Sequence, residues 1–189
     1  MIIGSHNTMT YATPRKWWMH VIAPFAVCQT KDVDEQILEG VRCFDLRIRL
    51  KKDKWVFAHG LYEVDEDVYA TIDKIRNYAD DLRKKVYIRI VLERNKTSRK
   101  ETERFVKFCE MCENQLGKYI VPFEGRLKGG WKELYSFKYR PKSIIQNVSS
   151  MATDARWYEK AIPFLYAFRK NEENKCRVYN NKIVLYDFI

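Results

Sequence analysis

Met1-Ile2-Ile3-Gly4-Ser5-His6-Asn7-Thr8 opens the chain, Gly40-Val41-Arg42-Cys43-Phe44-Asp45-Leu46-Arg47-Ile48 comes next, and Phe57-Ala58-His59-Gly60 follows. Each stretch has the same form: a short apolar run, rich in β-branched and aromatic residues, ending in residues that can do chemistry. Such runs predict strands. Polar residues at the ends of parallel strands in an α/β fold converge on one mouth. His6, Asp45, Arg47 and His59 are therefore expected as neighbours. Two imidazoles and a guanidinium at one point suit phosphoryl chemistry. One imidazole takes a proton from a hydroxyl, the other gives one to the leaving oxygen, and the guanidinium neutralises the phosphate oxygens.

Within the second stretch Asp45 and Arg47 lie two apart, so both point to one side of the strand together with Cys43 and Arg49. Phe44, Leu46 and Ile48 face the other side. In a barrel this parity puts polar residues inside near the mouth and apolar residues beneath the helices. A buried Asp and Arg need each other, so a structural ion pair and a catalytic one are both readings of Asp45 and Arg47. Gly60 allows backbone to approach a ligand closely.

The rest of the chain alternates in the same way. Asp32 or Asp34 caps a helix through Leu38, which Gly40 ends. Lys54 to Ala58 is another short strand. Residues 65–83 carry Val68, Ile72, Ile75 and Ala79 at helical spacing. Val86 to Leu92 is a parallel strand ending in Glu93-Arg94-Asn95, and 98–116 is a helix with Phe105, Phe108, Cys112 and Leu116 on one stripe. Tyr119 to Val121 reads as a short strand before Pro122. Residues 123–142 read as a long loop with a short helix around Trp131 to Tyr135, a length typical of lids and binding loops. Ser143 to Val148 is a strand carrying Gln146 and Asn147. Residues 153–170 form a helix interrupted at Pro163, and Lys182 to Phe188 is the last strand, with Asp187 at its end. There is no repeat, low-complexity tract or linker, so one domain over 1–189 is expected. The β-α-β-α order implies a parallel sheet with helices outside.

The chain has 189 residues, 46% apolar and 32% charged, which is the composition of a globular domain with a sizeable core. Lys and Arg exceed Asp and Glu by 35 to 25, a formal charge of +10. That excess favours polyanions (nucleic acid, anionic membrane or phosphorylated substrate) or serves solubility alone. No run approaches the roughly 20 apolar residues of a membrane span. The N-terminus lacks the pattern of a secretory signal, and the sequence leaves cytoplasm and export both open. The five cysteines are too few and odd in number for a disulfide framework. Cys109-x-x-Cys112 lies in a helical pattern with no second ligand pair, so its thiols read as structural.

Tyr11 to Phe25 is a short helix or loop rich in aromatics, with Arg15 and Lys16 at its start. Adjacent Trp17 and Trp18 cannot both enter one core face of a helix. An exposed Trp beside basic residues has the composition of an interfacial membrane anchor; a cap over the barrel end is the plainer reading.

Taken together, Gly4-Ser5-His6-Asn7-Thr8, Gly40 to Arg47, His59-Gly60 and the final Ile183-Val184-Leu185-Tyr186-Asp187-Phe188 resemble, in order and spacing, the catalytic X region of phosphatidylinositol-specific phospholipase C. The resemblance is dense over 1–60, reasonable over 86–93 and 183–188, and thin between. It implies a distorted TIM-type (β/α) barrel; the chain is short for eight full units, so reduced units are expected in the second half. It also implies cleavage of a phosphoinositide or related phospholipid to diacylglycerol and inositol cyclic phosphate. In that scheme His6 is the base, Asp187 orients it, His59 is the acid, Arg47 stabilises the phosphate and Asp45 holds Arg47. Asn7, Gly60 and Glu93 are candidate substrate contacts, and the Ser143 to Val148 strand offers Gln146 or Asn147 as another. Trp17 and Trp18 match the short helix that carries a membrane-inserting Trp in those phospholipases.

The eukaryotic type binds Ca²⁺ through positions matching Asn7, Asp45 and Glu93. Here its fourth ligand position is Arg47, the arrangement of the metal-independent bacterial type, so no metal is expected. Two departures from the bacterial pattern stand out. Asn7 replaces an Asp and is expected to hydrogen-bond His59 without supplying charge. Glu93 stands where a basic residue is usual, so it either pairs with Arg47 or binds inositol hydroxyls. Rival readings are a metal-dependent glycerophosphodiester phosphodiesterase or sphingomyelinase D-like enzyme, and a non-catalytic module for anionic lipid or nucleic acid. The favoured reading expects a monomer peripheral to an anionic membrane, with no specific nucleic-acid partner.

Overall fold

Short apolar runs, each too hydrophobic to remain at a surface, assemble into a curled sheet wrapped by amphipathic helices. The computed structural model describes residues 1–128, 132–146, 154–161, 163–175 and 182–189. In chain order the elements are β1 (Ile2–Ser5), α1 (Met19–Ala26), α2 (Val33–Leu38), β2 (Cys43–Lys51), β3 (Lys54–His59), β4 (Tyr62–Glu63), α3 (Val68–Leu82), β5 (Val86–Leu92), α4 (Arg99–Gln115), β6 (Ile120–Leu127), β7 (Ile144–Gln146), α5 (Trp157–Ala161), α6 (Pro163–Lys175) and β8 (Ile183–Tyr186).

The parallel strands run in the order β7-β8-β1-β2-β5-β6. No pairing joins β6 to β7 among the described residues. The sheet is therefore a curled, partly open barrel of TIM-type character, reduced in its second half. β3 departs from the expected pattern: it is antiparallel to β2, with Ile48 opposite Phe57 and Lys51 opposite Lys54. A tight turn with Lys52 and Asp53 in the left-handed region (φ 44° and 66°) makes this hairpin. His59 thus comes to the mouth on a strand running back along β2, not at the end of another parallel strand.

Strand parity divides the molecule into two packed regions. On β2, Phe44, Leu46 and Ile48 join the main core with Val68, Ile72, Ile75 and Ala79 of α3 and Phe105, Phe108, Cys109 and Cys112 of α4. Cys43 faces the barrel interior with Phe123, Ile183 and Leu185, against Tyr87, Tyr139 and Ile144. Gly4 is required there: a Cβ would lie 2.7 Å from Leu185 Cδ2 and 2.9 Å from Cys43 Cβ. Cys109 and Cys112 are buried free thiols of that main core, as their helical spacing implies.

The second half differs from the sequence reading. β6 continues through Pro122 to Leu127. Pro122 is tolerated because, among the described residues, β5 is the one strand that pairs with β6, so at this position a missing N–H costs no ladder bond on the other side. A register shift opposite Ile90 and Val91 accommodates Gly125, where a Cβ would meet the Tyr135 carbonyl oxygen at 2.2 Å. Residues 132–135 are not helical; Glu133 instead bridges to Arg126. The helix beyond Pro163 reaches Lys175. Trp131 and Asn147 lie outside the described residues.

Candidate active site

The interior-facing residues at the strand ends meet. β1 delivers His6, which is 3% exposed, and β8 delivers Asp187, 1% exposed. His6 Nδ1 lies 2.7 Å from Asp187 Oδ1. A carboxylate only accepts, so Nδ1 carries the proton and Nε2 offers its lone pair. Arg47 Nη2 donates to Nε2 at 2.7 Å, and the side-chain amide nitrogen of Gln146 lies 2.6 Å from the same atom. The imidazole is held at both nitrogens in the tautomer a base requires.

Arg47 is fixed by two carboxylates. Its Nε donates to Asp45 Oδ2 at 3.0 Å, and its Nη1 lies 3.7 Å from Glu93 Oε2. Burial works against the Arg47 charge, but Asp45 and then Glu93 outweigh it and push its pKa up. Burial likewise disfavours the Asp45 carboxylate; Arg47, Arg89 and His6 together overcome it and hold Asp45 well below the usual carboxylate range. Asp45 also accepts from the Asn7 backbone N–H at 3.1 Å. Asn7 itself lies in the left-handed region (φ 47°), where Asn is among the best tolerated residues. Glu93 Oε1 accepts from the Gly60 N–H at 2.8 Å and from Lys128 Nζ. Of the two expectations for Glu93, the structure has the pairing with Arg47.

His59 faces His6 edge-on, with ring centroids 6.2 Å apart. Its Nδ1 donates to the Ala26 carbonyl at 2.7 Å and lies 3.7 Å from Cys28 Sγ. The expected contact with Asn7 is absent: Asn7 Nδ2 turns instead toward His6 Nε2 (3.4 Å) and Cys28 Sγ (3.5 Å). His59, Asn7, Asp45 and Arg47 nevertheless line one cavity.

Burial, the largest influence, with Arg47 and His6 adding to it, depresses the His59 pKa from 6.5 to about 4, while the Ala26 carbonyl and Glu93 oppose them. An unfolded histidine takes up a proton near 6.5, whereas folded His59 stays neutral down to about 4. Its contribution to stability is therefore complete above pH 6.5 and is lost as pH falls toward 4. The loss amounts to about 3 kcal/mol. Denaturant unfolding at stepped pH is expected to show this decline, and His59→Gln to flatten it; equal slopes would remove His59 as its source.

Three contributors were missed in the sequence. Arg89, opposite Asp45 in the β2–β5 register, brings Nη1 to 3.5 Å from Asp45 Oδ1; it is the one charge inside the apolar run 86–92, and that was the available signal. Lys128 follows β6, which the sequence reading ended at Pro122. Cys28 carried no signal. With His6 and Asp187 it forms a donor set within 4.8 Å that suits a thiophilic cation, although burial, with the Asp187 charge adding to it, raises its thiol pKa well above normal. The carboxylates of Asp45 and Glu93, at two of the positions matched to Ca²⁺ ligands, both lie against the Arg47 guanidinium.

Solved structures share this architecture. A phosphatidylinositol-specific phospholipase C from Listeria monocytogenes matches over 99% of this chain and 87% of its own, with TM-score 0.59 and 14% identity. The fold is that of these phospholipases. A pentafluoro-Phe-incorporated form of the Staphylococcus aureus enzyme matches over 99% and 85%, with TM-score 0.63 and 13% identity. A further S. aureus structure, concerned with modulation of membrane binding, matches over 97% and 70%, with TM-score 0.55 and 15% identity. No family model and no curated protein sequence matches the chain.

The stretch leading into α1 is exposed: Trp17 is 82% and Trp18 37% accessible, and Val21 and Phe25 of α1 are exposed as well. No helix among the described residues is long and apolar enough to cross a membrane.

Proposed function

We propose that the protein is a phosphatidylinositol-specific phospholipase C-like phosphodiesterase, with residues 1–189 acting as one catalytic domain. The observation that carries this reading is His6, buried between Asp187 on Nδ1 and Arg47 on Nε2, with Asp45 holding Arg47. The likeness to bacterial phospholipases C supports the lipid class of substrate.

In the proposed reaction the inositol 2-hydroxyl displaces Arg47 and Gln146 from His6 Nε2 and gives that nitrogen its proton. The oxygen forms a bond to phosphorus, and the bond from phosphorus to the glyceryl oxygen breaks. Diacylglycerol leaves with a proton from His59, and inositol cyclic phosphate remains. Arg47 turns its N–H groups to the equatorial phosphate oxygens as charge builds. Asp187 favours the imidazolium that forms on His6. Free His59 is neutral near pH 7, so its protonation is coupled to arrival of the phosphodiester anion. Gly60 and Glu93 are proposed to bound the headgroup side; Asn147 lies outside the described residues. No metal is needed in this scheme, since a fixed guanidinium supplies the positive charge; a metal-dependent diesterase would have to place its cation against Arg47.

The test is diacylglycerol release from phosphatidylinositol vesicles across pH. Two imidazoles in opposite protonation states give a bell-shaped kcat/KM, and His59→Ala is expected to remove one limb and most of the rate. A wild-type profile in that variant would end the two-histidine scheme.

Membrane contact is proposed through the exposed Trp17 and Trp18. Trp17→Ala is expected to weaken partitioning onto anionic vesicles by about tenfold, the worth of one aromatic side chain partly withdrawn from water. Sedimentation with sucrose-loaded vesicles reads this directly; unchanged partitioning would move the contact elsewhere. A monomer peripheral to the membrane suffices for this reading.

A further inference from the structure

The excess of basic over acidic residues, 35 against 25, is not used at the mouth, where Arg47 and Arg89 are balanced by Asp45, Glu93 and Glu124. Part of it collects at the other end of the sheet. Four parallel strands are led by cations. Arg42 precedes β2, Arg83, Lys84 and Lys85 precede β5, Lys118 stands two residues before β6, and Lys182 precedes β8. Parallel pairing puts these leads at one end, opposite the C-terminal ends that carry His6 and Asp187.

Backbone bonds hold the leads level. The Ile2 N–H donates to the Lys182 carbonyl (2.9 Å), the Arg42 N–H to Ile3 (2.9 Å), the Tyr87 N–H to Arg42 (2.8 Å) and the Val86 N–H to Tyr119 (2.9 Å). Neighbouring strands stand about 4.8 Å apart, so the four steps from β8 through β1, β2 and β5 to β6 make a basic rim about 19 Å along its arc.

The rim brings no counter-charge of its own. Arg83, Lys84, Lys85 and Lys118 are exposed, and Arg42 is half-buried. Among the described residues none of these five forms an ion pair, not even with Asp80 and Asp81, which immediately precede Arg83. Helix C-termini attract cations, and α3 and α4 end here. That accounts for a cation after each helix but not for three in a row after α3. Arg83 moreover stands in the left-handed region (φ 52°), where Gly is usual.

A line of unmatched cations suits a line of phosphates. None of the exposed aromatic side chains among the described residues lies in these leading segments, and Tyr119 is half-buried, with Lys118 Nζ 4.7 Å from its ring centroid. The rim therefore offers no platform for stacking unpaired bases and no Trp to anchor in a bilayer. A bilayer held at this end would also lie away from the mouth. A duplex backbone, held through charge alone, needs neither feature.

We propose that this rim is a docking surface for duplex nucleic acid, which it holds by the phosphate backbone without reading sequence. It lies at the opposite end of the sheet from the candidate active site and does not depend on the phosphodiesterase reading.

The test is fluorescence anisotropy of a labelled DNA duplex of about 20 base pairs, titrated with the full chain between about 50 and 200 mM salt. With about five phosphates engaged, log affinity is expected to fall against log salt with a slope of about −4.5. Lys84→Gln with Lys85→Gln and Lys118→Gln, all at exposed positions, is expected to weaken binding at least about 100-fold at about 0.1 M salt and to reduce the slope by about 2.7. Lys52→Gln with Lys54→Gln and Lys107→Gln makes the same change of net charge at exposed positions off the rim, and is expected to alter affinity less than about threefold. Equal losses in the two variants would reduce the effect to net charge and overturn the rim. A rim variant with wild-type affinity and slope overturns it directly. Tighter binding of a single strand of the same length overturns the duplex assignment. So does a rim variant that keeps the duplex but no longer partitions onto phosphatidylserine vesicles, which would give this end to the membrane. No lipid enters the anisotropy assay, so its failure and that of the turnover assay are read separately.

Discussion

His6→Ala is expected to lower cyclic phosphate formation by about 10³-fold or more, the scale of losing a positioned general base. The magnitude follows from how much converges on one ring. Nδ1 is fixed by Asp187 at 2.7 Å, and Nε2 faces Arg47 at 2.7 Å within a site that is 3% exposed at the histidine. No other imidazole among the described residues is paired with Asp187, so none inherits the role. The fold is expected to survive, because the main core lies on the opposite face of the sheet. The cost is the unmet Asp187 hydrogen bond, about 1–3 kcal/mol. Circular dichroism and an unfolding curve taken beside the assay separate the two effects. A folded variant with near wild-type turnover would remove His6 from the chemistry.

Asp45→Ala has the largest expected effect on stability. Asp45 is 1% exposed and is the counter-ion of Arg47 at 3.0 Å and of Arg89 at 3.5 Å. Removing it leaves two guanidinium groups facing each other without it. Breaking a buried pair from one side costs about 3–5 kcal/mol. Glu93 and Glu124 remain and moderate the loss, because each already contacts one of the two arginines. Asp45→Asn keeps the acceptor oxygen for the Asn7 N–H and is expected to lose less stability. Both variants are expected to lose turnover, since Arg47 is no longer aimed at His6 Nε2. A denaturant midpoint for Asp45→Ala equal to wild type, with unchanged slope, would show that the arginines do not depend on it.

Much of the site was legible because a strand repeats every two residues. His6, Asp45, Arg47 and Asp187 each follow an apolar run at the parity that faces the interior, so residue type and spacing found them together. The helices were legible for the corresponding reason: Val68, Ile72, Ile75 and Ala79 are all buried. What escaped depends on relations between distant strands. Arg89 matters because the β2–β5 register sets it opposite Asp45, and no local pattern encodes register. Lys128 was hidden by Pro122, which reads as a strand end until one knows that β6 is an edge. His59 was placed correctly for a wrong topological reason, since β3 runs antiparallel. The Asn7 contact failed because its amide nitrogen faces His6 and Cys28, a side-chain direction that no local pattern encodes.

Phosphorus NMR of the protein with phosphatidylinositol micelles, with and without EDTA and beside His6→Ala, tests the central claim most directly. A cyclic phosphodiester signal that persists in EDTA and is absent in the variant is the expected result. A signal that EDTA abolishes, or no cyclic product from the wild-type protein, would contradict it.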